Sequence, residues 1–133
     1  MKTAVIGAVE YAISTAEDNT INARYISTGS MALGEGIICT GKAKGDTSNG
    51  FPGRYEIEYF GTDGNTVGIF DWEIERAGGA YRLVWKLQAD GGFIPGKKGD
   101  IVFQGFGFPN NETSIVVAYW MTEEISSLFL GGA

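Results

Sequence analysis

The stretch Gly53-Arg54-Tyr55-Glu56-Ile57-Glu58-Tyr59-Phe60, followed by Gly61-Thr62-Asp63-Gly64-Asn65 and then by Phe70-Asp71-Trp72-Glu73-Ile74-Glu75, decides the fold class. Tyr55, Ile57 and Tyr59 alternate with Arg54, Glu56 and Glu58, and Phe70, Trp72 and Ile74 alternate with Asp71, Glu73 and Glu75. Successive side chains of a strand point to opposite faces, so a period of two describes two strands, each with one apolar and one wet face. The Asp63-Gly64 step between them can take the positive φ that a tight hairpin needs. Ala77-Gly78-Gly79 then turns the chain into Ala80 to Gln88, where Tyr81, Leu83, Trp85 and Leu87 oppose Arg82 and Lys86. Acid meets base across the wet faces, at about 0.2–1 kcal/mol per favourable pair.

The same pattern extends in both directions. Thr3 to Thr15 sets Val5, Gly7, Val9, Tyr11 and Ile13 on one face and ends in a turn at Ala16-Glu17-Asp18-Asn19. Thr20 to Gly29 alternates Ile21, Ala23 and Tyr25 against Asn22 and Arg24, and Gly34 to Lys44 carries Ile37-Ile38-Cys39 between glycines. Gly45-Asp46-Thr47-Ser48-Asn49-Gly50 reads as a mobile rim loop. Beyond the connection from Ala89 to Gly99, Asp100 to Phe108 and Thr113 to Met121 form two strands around a turn at Pro109-Asn110-Asn111-Glu112. Both are apolar on both faces and need a second covering surface. Thr122 as N-cap, with Glu123 and Glu124 in the first turn, predicts a short C-terminal helix over Ile125 to Leu130 that supplies this cover, from the same chain or a neighbour. A homo-oligomer is the corresponding expectation.

About eight sequential antiparallel strands joined by hairpins expose two long edges in an open sheet and none in a closed one. The expected fold is therefore all-β, a single up-and-down barrel, with a two-sheet sandwich as its rival. The chain of 133 residues suits one domain over 1–133, and its 21 glycines, spread throughout, read as turns, bulges and barrel corners. Gly34-Glu35-Gly36 and Gly105-Phe106-Gly107 share a spacing that fits barrel geometry better than a phosphate loop, because neither opens a helix.

In architecture, and in the Gly53-Arg54-Tyr55 strand start, the sequence resembles the calycin-like barrels, the group of the lipocalins and avidins. The resemblance implies a capacity to hold a small, largely apolar molecule inside the barrel. It passes no role to any particular residue.

Composition narrows the chemistry. A formal charge of −6 without a Lys/Arg stripe argues against nucleic acid. No apolar run is long enough for a membrane helix, and Cys39 is the only cysteine, so a cytoplasmic location without disulfides is expected. With no histidine and a single cysteine, the usual hydrolase triads and thiolate zinc sites are excluded. Asp71, Glu73 and Glu75 are the carboxylates a hard cation would use, but acids alternating along a strand read as a solvated face. No metal and no cofactor are expected. Cys39, within an apolar string, reads as a small buried hydrophobe rather than a nucleophile.

What remains is the aromatic content. Tyr25, Tyr55, Tyr59, Trp72, Tyr81, Trp85, Phe103, Tyr119 and Trp120 stand at strand positions. Most fill a core. Buried Tyr and Trp carry polar atoms that need partners, however, so Tyr25, Tyr55, Tyr59, Trp72, Tyr81, Trp85, Phe103 and Tyr119 are the candidates to line a pocket for a small apolar or aromatic molecule. Two alternatives stay open. One is a cofactor-independent isomerase, cyclase or hydratase using a buried carboxylate and a tyrosine, with Glu10, Arg24, Glu35, Glu56 and Glu58 as candidate charged groups. The other is a structural or interaction domain.

Overall fold

The computed structural model describes residues 5–28, 36–91 and 94–129. Its strands are β1 (Ile6–Ile13), β2 (Thr20–Ser27), β3 (Cys39–Gly45), β4 (Gly53–Phe60), β5 (Thr66–Ala77), β6 (Ala80–Leu87), β7 (Ile101–Asn111) and β8 (Ser114–Met121), followed by helix α1 (Glu123–Phe129). Each strand pairs antiparallel with the next, and β1 pairs with β8, so the sheet closes into an eight-stranded up-and-down barrel. The sandwich reading is overturned by the β1–β8 ladder from Ile6↔Trp120 to Ala12↔Ser114.

Alternation sets the faces as the sequence implies. Val9, Tyr11, Ile21, Ala23, Tyr55, Ile57, Phe70, Trp72, Leu83 and Trp85 are buried in one core. Outside, Arg82 pairs with Glu75 at 2.7 Å and Lys86 with Glu73 at 2.7 Å across β5 and β6. Exposed pairs of this kind contribute about 0–1 kcal/mol.

The interior is crowded because tyrosine and tryptophan rings lie flat on glycines of the neighbouring strand. Gly41 stands opposite Tyr59 and Gly45 opposite Tyr55. A Cβ at Gly41 would lie 2.8 Å from Tyr59 Cδ1, and one at Gly105 would lie 2.7 Å from the Ala118 carbonyl oxygen and 3.3 Å from Trp85 Cη2. At Gly7 the Tyr119 ring occupies the same place. These glycines are required by close approach rather than by backbone conformation.

Turn chemistry differs in detail from the expected hairpin. Between β4 and β5 only Gly64 takes positive φ, at 82°, while Gly64 donates its N–H to the Gly61 carbonyl and Asp63 Oδ1 accepts the Asn65 N–H. A register shift at Tyr59/Phe60 accommodates the longer loop. The Gly78-Gly79 turn carries positive φ at Gly78 alone, the pattern of a type II′ hairpin.

Several expectations need correction. β3 starts at Cys39, and Ile38 before it is 59% exposed. Gly34 and Glu35 lie outside the described residues. Cys39 is half-buried, with its thiol beside the Tyr25 phenol. β7 runs through Pro109 to Asn111: Pro109 still stands opposite Ile115, and the register shifts between Pro109 and Asn111, at the irregular strand end where proline is tolerated. The segment read as a mobile rim loop is anchored. It is followed by Phe51, which is 3% exposed and packs with its ring 5.9 Å from that of Tyr81. The Tyr55 hydroxyl lies 2.9 Å from the Phe51 carbonyl oxygen, 3.1 Å from that of Gly50 and 3.3 Å from that of Asp46. Phe51 therefore plugs the end of the barrel where β3 leaves and β4 enters.

Helix α1 closes over the other end. Thr122 accepts the Ser126 N–H through its carbonyl, while its hydroxyl donates to the Ile101 carbonyl at 2.9 Å and ties the helix to β7. Ile125 is 2% exposed and joins the interior core with Leu87 and Val102. The helix thus caps the interior and does not cover the outer apolar face, where Phe106 and Phe108 both remain 60% exposed. The expected end of the helix at Leu130 lies outside the described residues.

If Phe51 is the plug, Phe51→Ala costs about 3–5 kcal/mol, the usual range for deleting a buried phenyl ring. Urea denaturation should show a clearly lowered midpoint; an unchanged midpoint would show that the loop does not seal the barrel.

Candidate functional site

Between the Phe51-plugged end and the α1 end, the interior is not completely filled. A cavity of about 120 Å³ lies in the half of the barrel nearer α1. Its wall is drawn from every strand but β3: Val9 and Tyr11 of β1, Tyr25 of β2, Tyr59 of β4, Val67, Gly68 and Phe70 of β5, Trp85 of β6, Phe103 of β7 and Tyr119 of β8, with Ile94 from the β6–β7 connection. Gly68 leaves part of the wall without a side chain, and Val67 beside it is exposed, so the cavity reaches the surface there.

The rings pack edge to face. Tyr25 meets Tyr59 at 80° with centroids 5.1 Å apart, Phe103 meets Phe70 at 84° and 5.8 Å, and Phe103 meets Tyr119 at 86° and 5.7 Å. Such contacts add about 0.5–1.5 kcal/mol beyond area burial. They also hold each ring at a fixed angle to the cavity.

Polar atoms are few and nearly all spoken for. The Tyr119 hydroxyl donates to the Ile26 carbonyl at 3.1 Å, and the Tyr25 hydroxyl reaches the Phe60 carbonyl at 3.5 Å. Deeper in, Trp85 Nε1 donates to the Tyr59 hydroxyl at 2.7 Å, and that oxygen lies 2.7 Å from the Tyr11 hydroxyl. Burial pushes the Tyr11 phenol well above the usual tyrosine range, with the neighbouring Tyr59 reinforcing the shift. Burial also raises Tyr59, against the opposing effect of its bonds to Tyr11 and Trp85, and raises Tyr119. Tyr25 is pushed up to about 12 by burial and by Cys39 beside it. At neutral pH the cavity therefore presents neutral phenols, hydrogen-bonding groups rather than bases.

Of the eight aromatics singled out in the sequence, Tyr25, Tyr59, Trp85, Phe103 and Tyr119 line this cavity, and Tyr55, Trp72 and Tyr81 do not. Tyr55 is held by the plug loop and Tyr81 by Phe51 and by Arg76, which stacks over its ring at 5.1 Å. Trp72 is fully buried beneath the cavity, with its ring 4.6 Å from that of Tyr11, and its Nε1 has no hydrogen-bond partner. Tyr11 and Phe70 were legible as inward positions but not as cavity walls. Val67, Gly68 and Ile94 carried no sequence signal beyond their place at a strand start or in a loop.

None of the described charged candidates lines the cavity. Glu10 pairs with Arg24 at 2.9 Å on the outer surface, Glu56 accepts from Gln88, and Glu58 accepts from the Thr66 hydroxyl. Glu35 lies outside the described residues. Asp71, Glu73 and Glu75 bind Gln88, Lys86 and Arg82 respectively, each on the outer face. No helix among the described residues is long and apolar enough to cross a membrane. No family model matches this sequence, and no curated protein or solved structure matches it either, so function is read from the cavity itself.

Unfolded tyrosine ionises near pH 10, at about the model-peptide value. The buried phenols here have folded pKa values above that, about 12 for Tyr25 and Tyr55. Above about pH 10 the unfolded chain gives up protons that the folded chain keeps, so this stabilisation is complete below pH 10 and is lost as pH rises through 12. Alkaline titration should show tyrosinate absorbance lagging and then rising together with loss of near-ultraviolet dichroism. Ionisation of Tyr11, Tyr25, Tyr55, Tyr59 and Tyr119 near pH 10 with the fold intact contradicts this.

Proposed function

We propose that the protein binds a small, neutral, apolar or aromatic molecule inside the barrel. The observation that carries this reading is the cavity of about 120 Å³ with seven aromatic rings among its eleven lining residues. An engineered apolar cavity of about 150 Å³ in another protein takes up benzene, so this volume suits a ligand of about one ring. Neutral phenols and a lining without any charged residue favour an uncharged ligand, because an unpaired charge transferred here keeps its full desolvation cost. The closed barrel is compatible with the calycin-like resemblance, which points to the same use of the interior. Cys39, the lone cysteine, is consistent with a cytoplasmic setting.

A second copy of the chain is the partner this reading includes. Phe106 and Phe108 project from β7 beside Trp120, whose ring lies 5.4 Å from that of Phe106, and they border an outer concavity floored by Ala8, Val116 and Ala118. A ridge beside a hollow on one face suits a two-fold interface.

Toluene is the direct probe of the cavity. Saturable shifts of the Val9 and Ile94 methyl resonances, with a rise in thermal midpoint that follows ligand concentration, are the expected outcome. Shifts confined to surface methyls, or none at millimolar toluene, would rule the reading out.

A further inference from the structure

The hydrogens in the cluster of Trp85, Tyr59 and Tyr11 do not balance. Trp85 Nε1 only donates, so the Tyr59 oxygen must accept from it at 2.7 Å. The contact of 2.7 Å between the two hydroxyls uses one more hydrogen, supplied by either tyrosine. Three hydrogens therefore meet two contacts. If Tyr59 donates, the Tyr11 hydrogen is left over; if Tyr11 donates, the Tyr59 hydrogen is left over. No other acceptor among the described residues bonds either hydroxyl.

The spare O–H lies inside the barrel, on a buried Tyr11 or a half-buried Tyr59. Tyr11 is 1% exposed and packed on Trp72. Both phenols line the cavity, whose other aromatic hydroxyls already reach the Phe60 and Ile26 carbonyls. An unsatisfied buried donor is destabilising, and a partner that enters the cavity with an acceptor recovers that loss. The raised pKa values of both phenols keep the hydrogen in place over the neutral range.

We infer that the ligand carries one neutral hydrogen-bond acceptor, a carbonyl oxygen of a ketone, aldehyde, ester or quinone, which accepts the spare Tyr11/Tyr59 hydroxyl hydrogen while its apolar body packs against Phe70, Phe103 and Val9. This rests on the binding function proposed above and specifies the ligand's chemistry at the same site. A pure hydrocarbon leaves the O–H unpaired, and a carboxylate brings a charge that no described cation in the wall neutralises.

The test compares two ligands of nearly equal shape, cyclohexanone and methylenecyclohexane, in which C=O is replaced by C=CH₂. Binding is measured on the unaltered protein through the cavity methyl resonances, so it does not depend on a variant folding. The ketone should bind at least about tenfold more tightly, as expected when a buried donor is satisfied rather than left bare. Its bound carbonyl stretch should lie below its frequency in hexane, and the shift should diminish in the Y11F/Y59F double variant, where only the Trp85 N–H remains to donate. Equal affinities with an unshifted carbonyl stretch would overturn the acceptor inference and leave the apolar-cavity reading standing. Failure of both ligands to bind would overturn both.

Discussion

Everything in this barrel depends on aromatic rings lying against bare backbone. Eight strands enclose an interior just wide enough for side chains or one small ligand. Tyr55, Tyr59, Trp85 and Tyr119 fit there because Gly45, Gly41, Gly105 and Gly7 give up the space that a Cβ would take. Tyr59, Trp85 and Tyr119 are then fixed by edge-to-face neighbours and Tyr55 by a tilted contact with Trp72, and each polar atom is carried to a definite place. Tyr55 delivers its hydroxyl to the plug loop, Tyr119 to the Ile26 carbonyl, and Tyr59 to the middle of the barrel, where it meets Trp85 and Tyr11.

The two halves of the interior consequently differ. Toward the plugged end, Phe51, Tyr55, Trp72 and Tyr81 pack without a site, and Phe51 does there what a longer side chain from the wall would otherwise do. Toward the α1 end, Gly68 and the tilt of Phe70 and Phe103 leave a hollow that Ile94 and Ile125 do not fill. The hollow is apolar in its walls and carries a donor at its floor. That combination, an oily space with one directional group, is the usual construction of a small-molecule site.

The strand faces were legible in the sequence because alternation directly encodes direction: Tyr55, Ile57 and Tyr59 could only point one way if Glu56 and Glu58 pointed the other. Height along the barrel axis was not legible. Trp72 and Trp85 look equivalent in sequence and stand directly opposite each other in the β5–β6 ladder, yet one lies beneath the cavity and the other lines it, a distinction that alternation along a strand does not encode. Phe51 stood in a run of Gly, Asp, Ser and Asn that resembles a free loop, and its burial follows only once Tyr55 is seen to bind the carbonyls around it. Cross-strand glycines such as Gly41 and Gly105 read as bulges or corners; Gly41 becomes the seat of Tyr59 through direct register, whereas Gly105 meets the Trp85 ring although its register partners are Leu83 and Tyr119. On the outer face, Phe106 and Phe108 were recognisable as surplus apolar surface, but the helix expected to cover them turned inward through Ile125.

The central claim is that the interior holds an aromatic-walled hollow able to take a guest. Crystals of the protein pressurised with xenon test it most directly, since xenon enters apolar cavities of this size without needing any polar contact. The account predicts a strong xenon peak enclosed by Val9, Tyr59, Phe70, Trp85 and Phe103. Electron density showing those side chains in mutual contact, with no xenon between them, would contradict it.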